Sequence, residues 1–313
     1  MSEMILTVTL NPSVDISYKL DQFQLDAVNR VANVSKTAGG KGLNVTRVLH
    51  QLGEDVAATG FLGGHLGNFI REKVTNLDVA DHFVRTADDT RNCIAVIHEG
   101  NQTEILESGP EITTKEAAAF IEQFSSSIQR VDFVTISGSL PKGLGANFYS
   151  ELLEIAAHEN TPVLLDTSGK SLRLSLLSEH KPFLIKPNME ELAGLFEWEI
   201  IDENQLIKAL DEPLFENVPW VVVTLGAEGA LIKHENEIYR AKIPSVKVIN
   251  PVGSGDSVIA GFAAGLSHQL DKEDLIKYGL AMGVLNAMEE ETGSINPQNI
   301  DWCIEQISVE KIN

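Results

Sequence analysis

Short runs rich in branched residues alternate along this chain with longer stretches whose apolar residues recur at helical spacing, and no other feature constrains the fold so tightly. Runs at 5–10, 56–61, 131–137, 162–166, 183–186 and 220–225 read as strands. Stretches at 43–52, 67–77, 114–127, 147–158, 189–196 and 205–210 read as helices, and 257–290 reads as mainly helical. Strands and helices in this order build βαβ units, which predicts an α/β fold with a mostly parallel sheet and helices on both faces. Ligands of such sheets bind beyond the carboxyl ends of the strands, so the residues that follow each strand are the candidates for chemistry.

Two segments break the rhythm. Residues 12–36 and 88–110 carry alternating, β-rich text with no helix between, and Glu99-Gly100-Asn101 predicts a hairpin turn leading into 103–106. They predict a small separate sheet, a flap on a core made of 1–11, 37–87 and 111–313; extra edge strands of the main sheet are the alternative. Net charge is −21, which argues against a nucleic-acid partner. The same charge requires that any phosphate be attracted by local lysines, arginines, backbone amides or metal. Cys93 and Cys303 lie far apart with no C-x-x-C partner, as expected of reduced thiols in the cytoplasm. The apolar stretch at 4–10 is too short and polar to span a membrane and lacks the flanks of a secretory signal.

Four clusters follow strand-like runs. Ala38-Gly39-Gly40-Lys41-Gly42-Leu43-Asn44 is a glycine-rich turn opening a helix, where free backbone N–H groups favour an anion. It is not a P-loop, because Gly42 stands where Ser or Thr belongs and Ser35 where a glycine belongs. In Lys186-Pro187-Asn188-Met189-Glu190-Glu191, Pro187 opens a helix that places Asn188 and Glu191 one turn apart. An amide oxygen and a carboxylate there suit hydrated Mg²⁺, and a plain helix start is the alternative. Thr224-Leu225-Gly226-Ala227-Glu228-Gly229 either wraps a nucleotide or turns tightly into the next strand. In Asn250-Pro-Val-Gly253-Ser254-Gly255-Asp256, a loop feeds a helix. Gly253, Ser254 and Gly255 would present amides to phosphoryl oxygens, with Asp256 as base; otherwise Asp256 is an N-cap. Other chemistries match poorly. Val258 stands where a Rossmann third glycine belongs, the eight histidines show no His-Glu-x-x-His spacing, and Ser137 replaces the nucleophile-elbow glycine before Ser139. The run Glu289-Glu290-Glu291 reads as a solvated helix end.

Together, Gly39-Gly40-Lys41-Gly42-x-Asn44, Asn188-x-x-Glu191 and Asn250-Pro-Val-Gly-Ser-Gly-Asp256-Ser resemble, in order and over the whole chain, the PfkB branch of the ribokinase-like carbohydrate kinases. Within it, His98 to Pro110 and Asn250-Pro251 look more like the tagatose-6-phosphate kinase group than the 1-phosphofructokinases, although Asn11-Pro-Ser-Val-Asp15 and Asp89-Thr-Arg91 occur in both. The resemblance implies a three-layer α/β/α domain with a β-sheet lid and a homodimer through the lids. It implies ATP-dependent phosphorylation of D-tagatose 6-phosphate at C1–OH, a step of lactose and galactose breakdown, with fructose 1-phosphate as the alternative acceptor. A sugar-phosphate-binding regulator without catalysis is the reading from another class. By resemblance Asp15, Gly39, Gly40 and Asn44 hold the sugar, while Lys41, Arg91, Ser139 and, from the lid, Arg30 receive its phosphate. Lys186, Asn188, Thr224, Gly226, Gly229 and Asn286 serve the nucleotide, and Asn188 and Glu191 organise Mg²⁺ through water. Asp256 is the expected base.

Overall fold

The computed structural model describes residues 4–196 and 202–312. In chain order the strands are β1 Met4–Thr9, β2 Ser13–Leu20, β3 Asn33–Gly39, β4 Asp55–Gly63, β5 Ala80–Asp81, β6 Val84–Thr86, β7 Arg91–His98, β8 Asn101–Leu106, β9 Phe133–Ser137, β10 Val163–Asp166, β11 Leu184–Ile185, β12 Trp220–Thr224, β13 Ala230–His234, β14 Glu237–Lys242 and β15 Ser308–Lys311. The helices are α1 Lys41–Gln51, α2 Gly64–Thr75, α3 Thr114–Ile128, α4 Phe148–His158, α5 Gly169–Leu177, α6 Met189–Phe196, α7 Glu203–Leu210, α8 Ser254–Ser267, α9 Lys272–Ala287 and α10 Ile300–Gln306.

The large sheet runs β15-β14-β13-β12-β11-β10-β9-β1-β4-β5, with β6 also on β4. It is parallel from β5 to β12, as the βαβ rhythm predicts, and antiparallel from β12 to β15. The antiparallel extension and helices α5 and α10 are not among the predicted runs. Side chains alternate between two cores because a strand's period is two. Leu164, Leu184 and Val222 enter a cluster with Val258, Ile259 and Phe262 of α8 and Met282 of α9. Their neighbours Leu165, Ile185, Val221 and Val223 enter another with Phe120 of α3, Leu152 of α4 and Leu192 of α6. This is the helix–sheet–helix layering the sequence predicts. A helix buried all round is apolar all round, and α8 is buried from Asp256 to Gly265. Small residues let it pack tightly: a Cβ on Gly261 would sit 2.9 Å from Gly279 Cα on α9. The N-terminus of α8 is thereby fixed at the carboxyl edge of the sheet.

The irregular segments form their own four-stranded sheet, β3-β2-β7-β8, and not extra edge strands. β2 and β7 run parallel although far apart in sequence, and β7 turns into β8 through Glu99 at φ 50° and Gly100 at φ 76°. Two successive left-handed residues suit the right-handed twist of a hairpin. β3 runs on to Gly39, three residues beyond the expected edge at 36, and passes through Gly40 at φ 107° straight into α1. Among the described residues no helix is long and apolar enough to cross a membrane, and both cysteines are free.

Candidate active site

A cleft of about 980 Å³ lies between the small sheet and the carboxyl edge of the large one. The small sheet contributes Asp15, Arg91 and Cys93; the large sheet's edge contributes Asp166, Lys186, Asn188 and Thr224; α1 contributes Lys41 and Asn44; the N-cap and first turn of α8 contribute Gly253, Gly255 and Asp256. The early and late glycine clusters, some 210 residues apart in sequence, thus share one wall: Asn44 Nδ2 donates to Asp256 Oδ2 at 2.7 Å.

The α8 loop is built to stay open. Gly253 is the N-cap with φ 84°, a conformation costly for a residue bearing a Cβ. A Cβ on Gly255 would lie 3.0 Å from Lys186 Nζ, so a glycine there lets the ammonium approach the first turn. First-turn N–H groups lack intrahelical acceptors and carry the positive end of the helix dipole. Lys186 adds a nearly buried charge at the same place. The loop is held from behind by Asn286, which donates to Val252 O at 2.9 Å and accepts from Gly293 N at 2.8 Å.

Charge in the cleft is organised around two buried carboxylates with opposite fates. Burial tends to raise Asp166, but Lys186 at 3.5 Å and Lys41 at 3.4 Å outweigh it and hold this carboxyl below the usual range. Asp256 is pushed up to about 6, first by burial and then by the Asp166 charge; the Asn44 hydrogen bond, Lys41 and Lys186 oppose the rise only in part. A pair of carboxyls pushed apart in this way is a signature of divided labour, one a fixed counter-charge and the other an exchangeable proton site. Lys41 also lies 3.7 Å from Glu191 and is held above its ordinary value, because Asp166, Asp256 and Glu191 outweigh its burial.

On the opposite wall, Ser13 Oγ donates to Asp15 Oδ1 at 2.6 Å. Asp15 is raised by burial, with Ser13, Arg47 and Arg91 acting against the rise. Gly39 is dictated by this aspartate, since a Cβ there would fall 2.0 Å from Asp15 Cγ. Arg91 is anchored by bonds to Glu107 O at 2.9 Å and Asn11 O at 3.0 Å, while its buried Nε has no hydrogen-bond partner among the described residues. Asn188 and Glu191 cap α6 reciprocally: Glu191 N donates to Asn188 Oδ1 at 2.8 Å and Asn188 N donates to Glu191 Oε2 at 3.0 Å. This is the helix start that was the alternative reading, and both side chains line the cleft all the same. Hard oxygen donors fit Mg²⁺, which keeps most of its waters and needs few protein ligands. Among the described residues no group of three or more His, Cys, Asp or Glu side chains is placed to hold a metal.

Other expected residues lie elsewhere. Gly226 and Gly229 sit in the 3-10 turn between β12 and β13, with φ 59° and 95°, outside the cleft lining. Ser139 and Arg30 are exposed and line no part of the cleft. Asn286 is fully buried behind the glycine loop, where it shapes the loop instead of meeting the cleft. The acidic run lies past the end of α9; Glu290 and Glu291 line the cleft, and Glu290 pairs with Lys19 of β2 at 3.5 Å. Three residues escaped the sequence reading. Asp166 ends a predicted strand, where the strand-end rule alone could have found it. Arg47 and Thr292 carry no motif; Arg47 lies one helical turn from Asn44 on α1, and only the fold brings Thr292 to Arg47.

The pfkB family carbohydrate kinase model matches residues 8–299. The tagatose-6-phosphate kinase of Staphylococcus epidermidis is 50% identical over 307 residues, covering 98% of this chain and 99% of that one. Phosphofructokinase-2 of Escherichia coli, solved in complex with substrates and products, superposes with a TM-score of 0.86 at 26% identity over 96% of this chain and 98% of the other. Its tetrameric inhibited form gives 0.84 at 25% identity, over 97% and 100%. A full-length match of this kind means that the chain belongs to the pfkB family of carbohydrate kinases.

Proposed function

We propose that this chain transfers the γ-phosphoryl group of ATP to C1–OH of D-tagatose 6-phosphate, with Asp256 as general base. The coarser statement, an ATP-dependent sugar-phosphate kinase, follows from the family and the full-length relative. One observation carries the role of Asp256, which stands at the N-terminus of α8 in the same cleft as Asp15, Lys41 and Arg91; tagatose 6-phosphate as acceptor is supported by the 50% identical relative. Asp15, Gly39, Gly40 and Asn44 would hold the sugar hydroxyls, and Lys41 and Arg91 its phosphate. Thr224 and Lys186 would face the nucleotide.

In this mechanism Asn44 occupies Oδ2 of Asp256, which leaves Oδ1 for the acceptor hydroxyl. The hydroxyl O–H bond breaks toward Oδ1 as its oxygen bonds the γ-phosphorus, and the bond to the β-phosphate bridging oxygen opens to release ADP. An elevated pKa makes Asp256 a stronger base while leaving it largely ionised near neutrality. Amides of Gly253 and Gly255 and the Lys186 ammonium would meet the charge on the equatorial oxygens, whereas Ser254 N already donates to Pro251 O at 3.3 Å. Asn188 and Glu191 would hold Mg²⁺ through water. When bound, the ion supplies charge neutralisation on the nucleotide phosphates. The small sheet would close over the cleft and keep water from the phosphoryl group. Leu25, Val28, Val34, Ile105 and Leu106 are exposed in and beside that sheet, an apolar surface suited to a second copy of the chain.

Steady-state kcat/KM for tagatose 6-phosphate, fructose 6-phosphate and fructose 1-phosphate, read as ADP release with Mg²⁺, tests the reading. Tagatose 6-phosphate is expected to lead. A lead for fructose 1-phosphate would reassign the acceptor, and no ADP with any sugar phosphate would favour the non-catalytic regulator.

A further inference from the structure

Arg47, on the face of α1 one turn beyond Asn44, is absorbed by none of the roles above. Its guanidinium donates to Ala38 O at the end of β3, to Asn44 Oδ1 and to Thr292 O, the last at 2.9 Å. These acceptors come from three separate segments: the small sheet, α1 and the loop after α9. The segment around Thr292 is close enough that a Cβ on Gly293 would fall 3.0 Å from Arg47 Nη2 and 2.9 Å from Asn44 Cα.

Donor chemistry then fixes an orientation. A guanidinium has five N–H donors and no acceptor, so it can engage an amide only through the oxygen. With Oδ1 of Asn44 held by Arg47, the NH₂ group must be the end that meets Asp256, and it donates to Oδ2 at 2.7 Å. Rotated by half a turn, the same amide would set its oxygen against a buried carboxylate and leave a guanidinium facing an NH₂ group. We infer that Arg47 is a positioning residue for the base: through Asn44 it determines which oxygen of Asp256 is occupied and which is free for the acceptor hydroxyl. Because it also grips Ala38, it ties the position of the small sheet to the geometry of the base.

This inference rests on the reading of Asp256 as the base. Other charged groups also face Asp256: Lys41 from α1, Asp166 from the end of β10 and Lys186 from the segment after β11. None of them contacts the Asn44 amide oxygen in the way Arg47 does, so the test is a double-mutant cycle of Arg47→Met and Asn44→Ala. Turnover is measured at pH 8, above the Asp256 titration, with the pH profile as a second readout. Arg47→Met is expected to lower kcat by about 10- to 100-fold, the cost of a misplaced group, with KM for ATP unchanged. In the Asn44→Ala background the same change should cost little more, because the route through Asn44 is already gone. The acid limb of kcat should move to higher pH in Arg47→Met, since the carboxylate loses both its held donor and a nearby cation. Arg47→Lys keeps charge without the fork and should recover the limb but only part of kcat; it carries the same cycle if Arg47→Met does not fold. Independent losses that multiply in the double variant, or an acid limb that stays in place, overturn the inference. Asp256→Asn in the same series separates the two readings: near-normal turnover there removes the base itself, whereas loss there with multiplying losses in the cycle removes only the role of Arg47.

Discussion

Replacing Asp256 by Asn should inactivate the enzyme and stabilise the protein at once. The carboxyl is raised from 3.8 to about 6 by burial and by Asp166, a rise worth roughly 3 kcal/mol against the ionised form. Asn has nearly the same shape, carries no charge to desolvate and does not repel Asp166. The variant should therefore gain about 1–3 kcal/mol near neutrality, or roughly 1.5 °C in Tm per kcal/mol for a chain of 313 residues. The sign follows from linkage. Below the unfolded carboxyl value both states are protonated and the two proteins should be equally stable. As pH rises toward 6 the unfolded chain gives up its proton first, so the wild type loses stability and the gap opens; above that it stays constant. Turnover should fall at least about 100-fold, as for loss of a general base. Thermal unfolding of both proteins between pH 4 and 8, with kcat on the same preparations, measures both effects. A variant less stable than wild type at pH 7.5, or a gap that does not change with pH, would refute the electrostatic reasoning.

Other outcomes test separate parts of the cleft. Gly39→Ala drives a methyl into Asp15, whose Cγ would be 2.0 Å away, and should raise KM for the sugar phosphate well before it affects KM for ATP. Arg91→Ala should also act mainly on the sugar-phosphate KM; an unchanged constant would mean that the phosphate is received elsewhere. Leu25→Asp with Val28→Asp should leave a monomer in analytical ultracentrifugation if the small sheets pair, since these side chains are 84% and 79% exposed in the single chain. Unaltered association would place the contact on another surface.

The layered fold was legible because burial imposes a period on the sequence. Strands 5–10 and 162–166 and helices 114–127 and 189–196 agree with the structure to within a residue or two, since each has one face or both pressed into a core. The hairpin at Glu99-Gly100 was legible through turn chemistry. What stayed hidden was pairing at a distance: nothing local in 13–20 and 91–98 says that they lie side by side, and parallel pairing leaves no turn as a signature. The candidate site divides the same way. Glycines and Asp256 declare themselves because backbone approach and free amides demand particular residue types. Asp166 wears no motif, although Lys41 and Lys186 converge on it. Arg47 reads as one more arginine on a helix until the fold delivers three carbonyl acceptors to it. Asn286 shows a related limit: nothing in its local sequence says that its side chain is buried and bonded to Val252 O of the loop before α8.

The central claim is that the Asp256 carboxylate receives the acceptor proton. A crystal structure of the ternary complex with tagatose 6-phosphate and a non-hydrolysable ATP analogue measures this directly. The account predicts Asp256 Oδ1 about 2.6–3.2 Å from the C1 hydroxyl oxygen, with Asn44 still bonded to Oδ2. A C1 hydroxyl that instead faces Asp15, or lies beyond hydrogen-bond reach of Asp256 with the γ-phosphate in place at the start of α8, would contradict it.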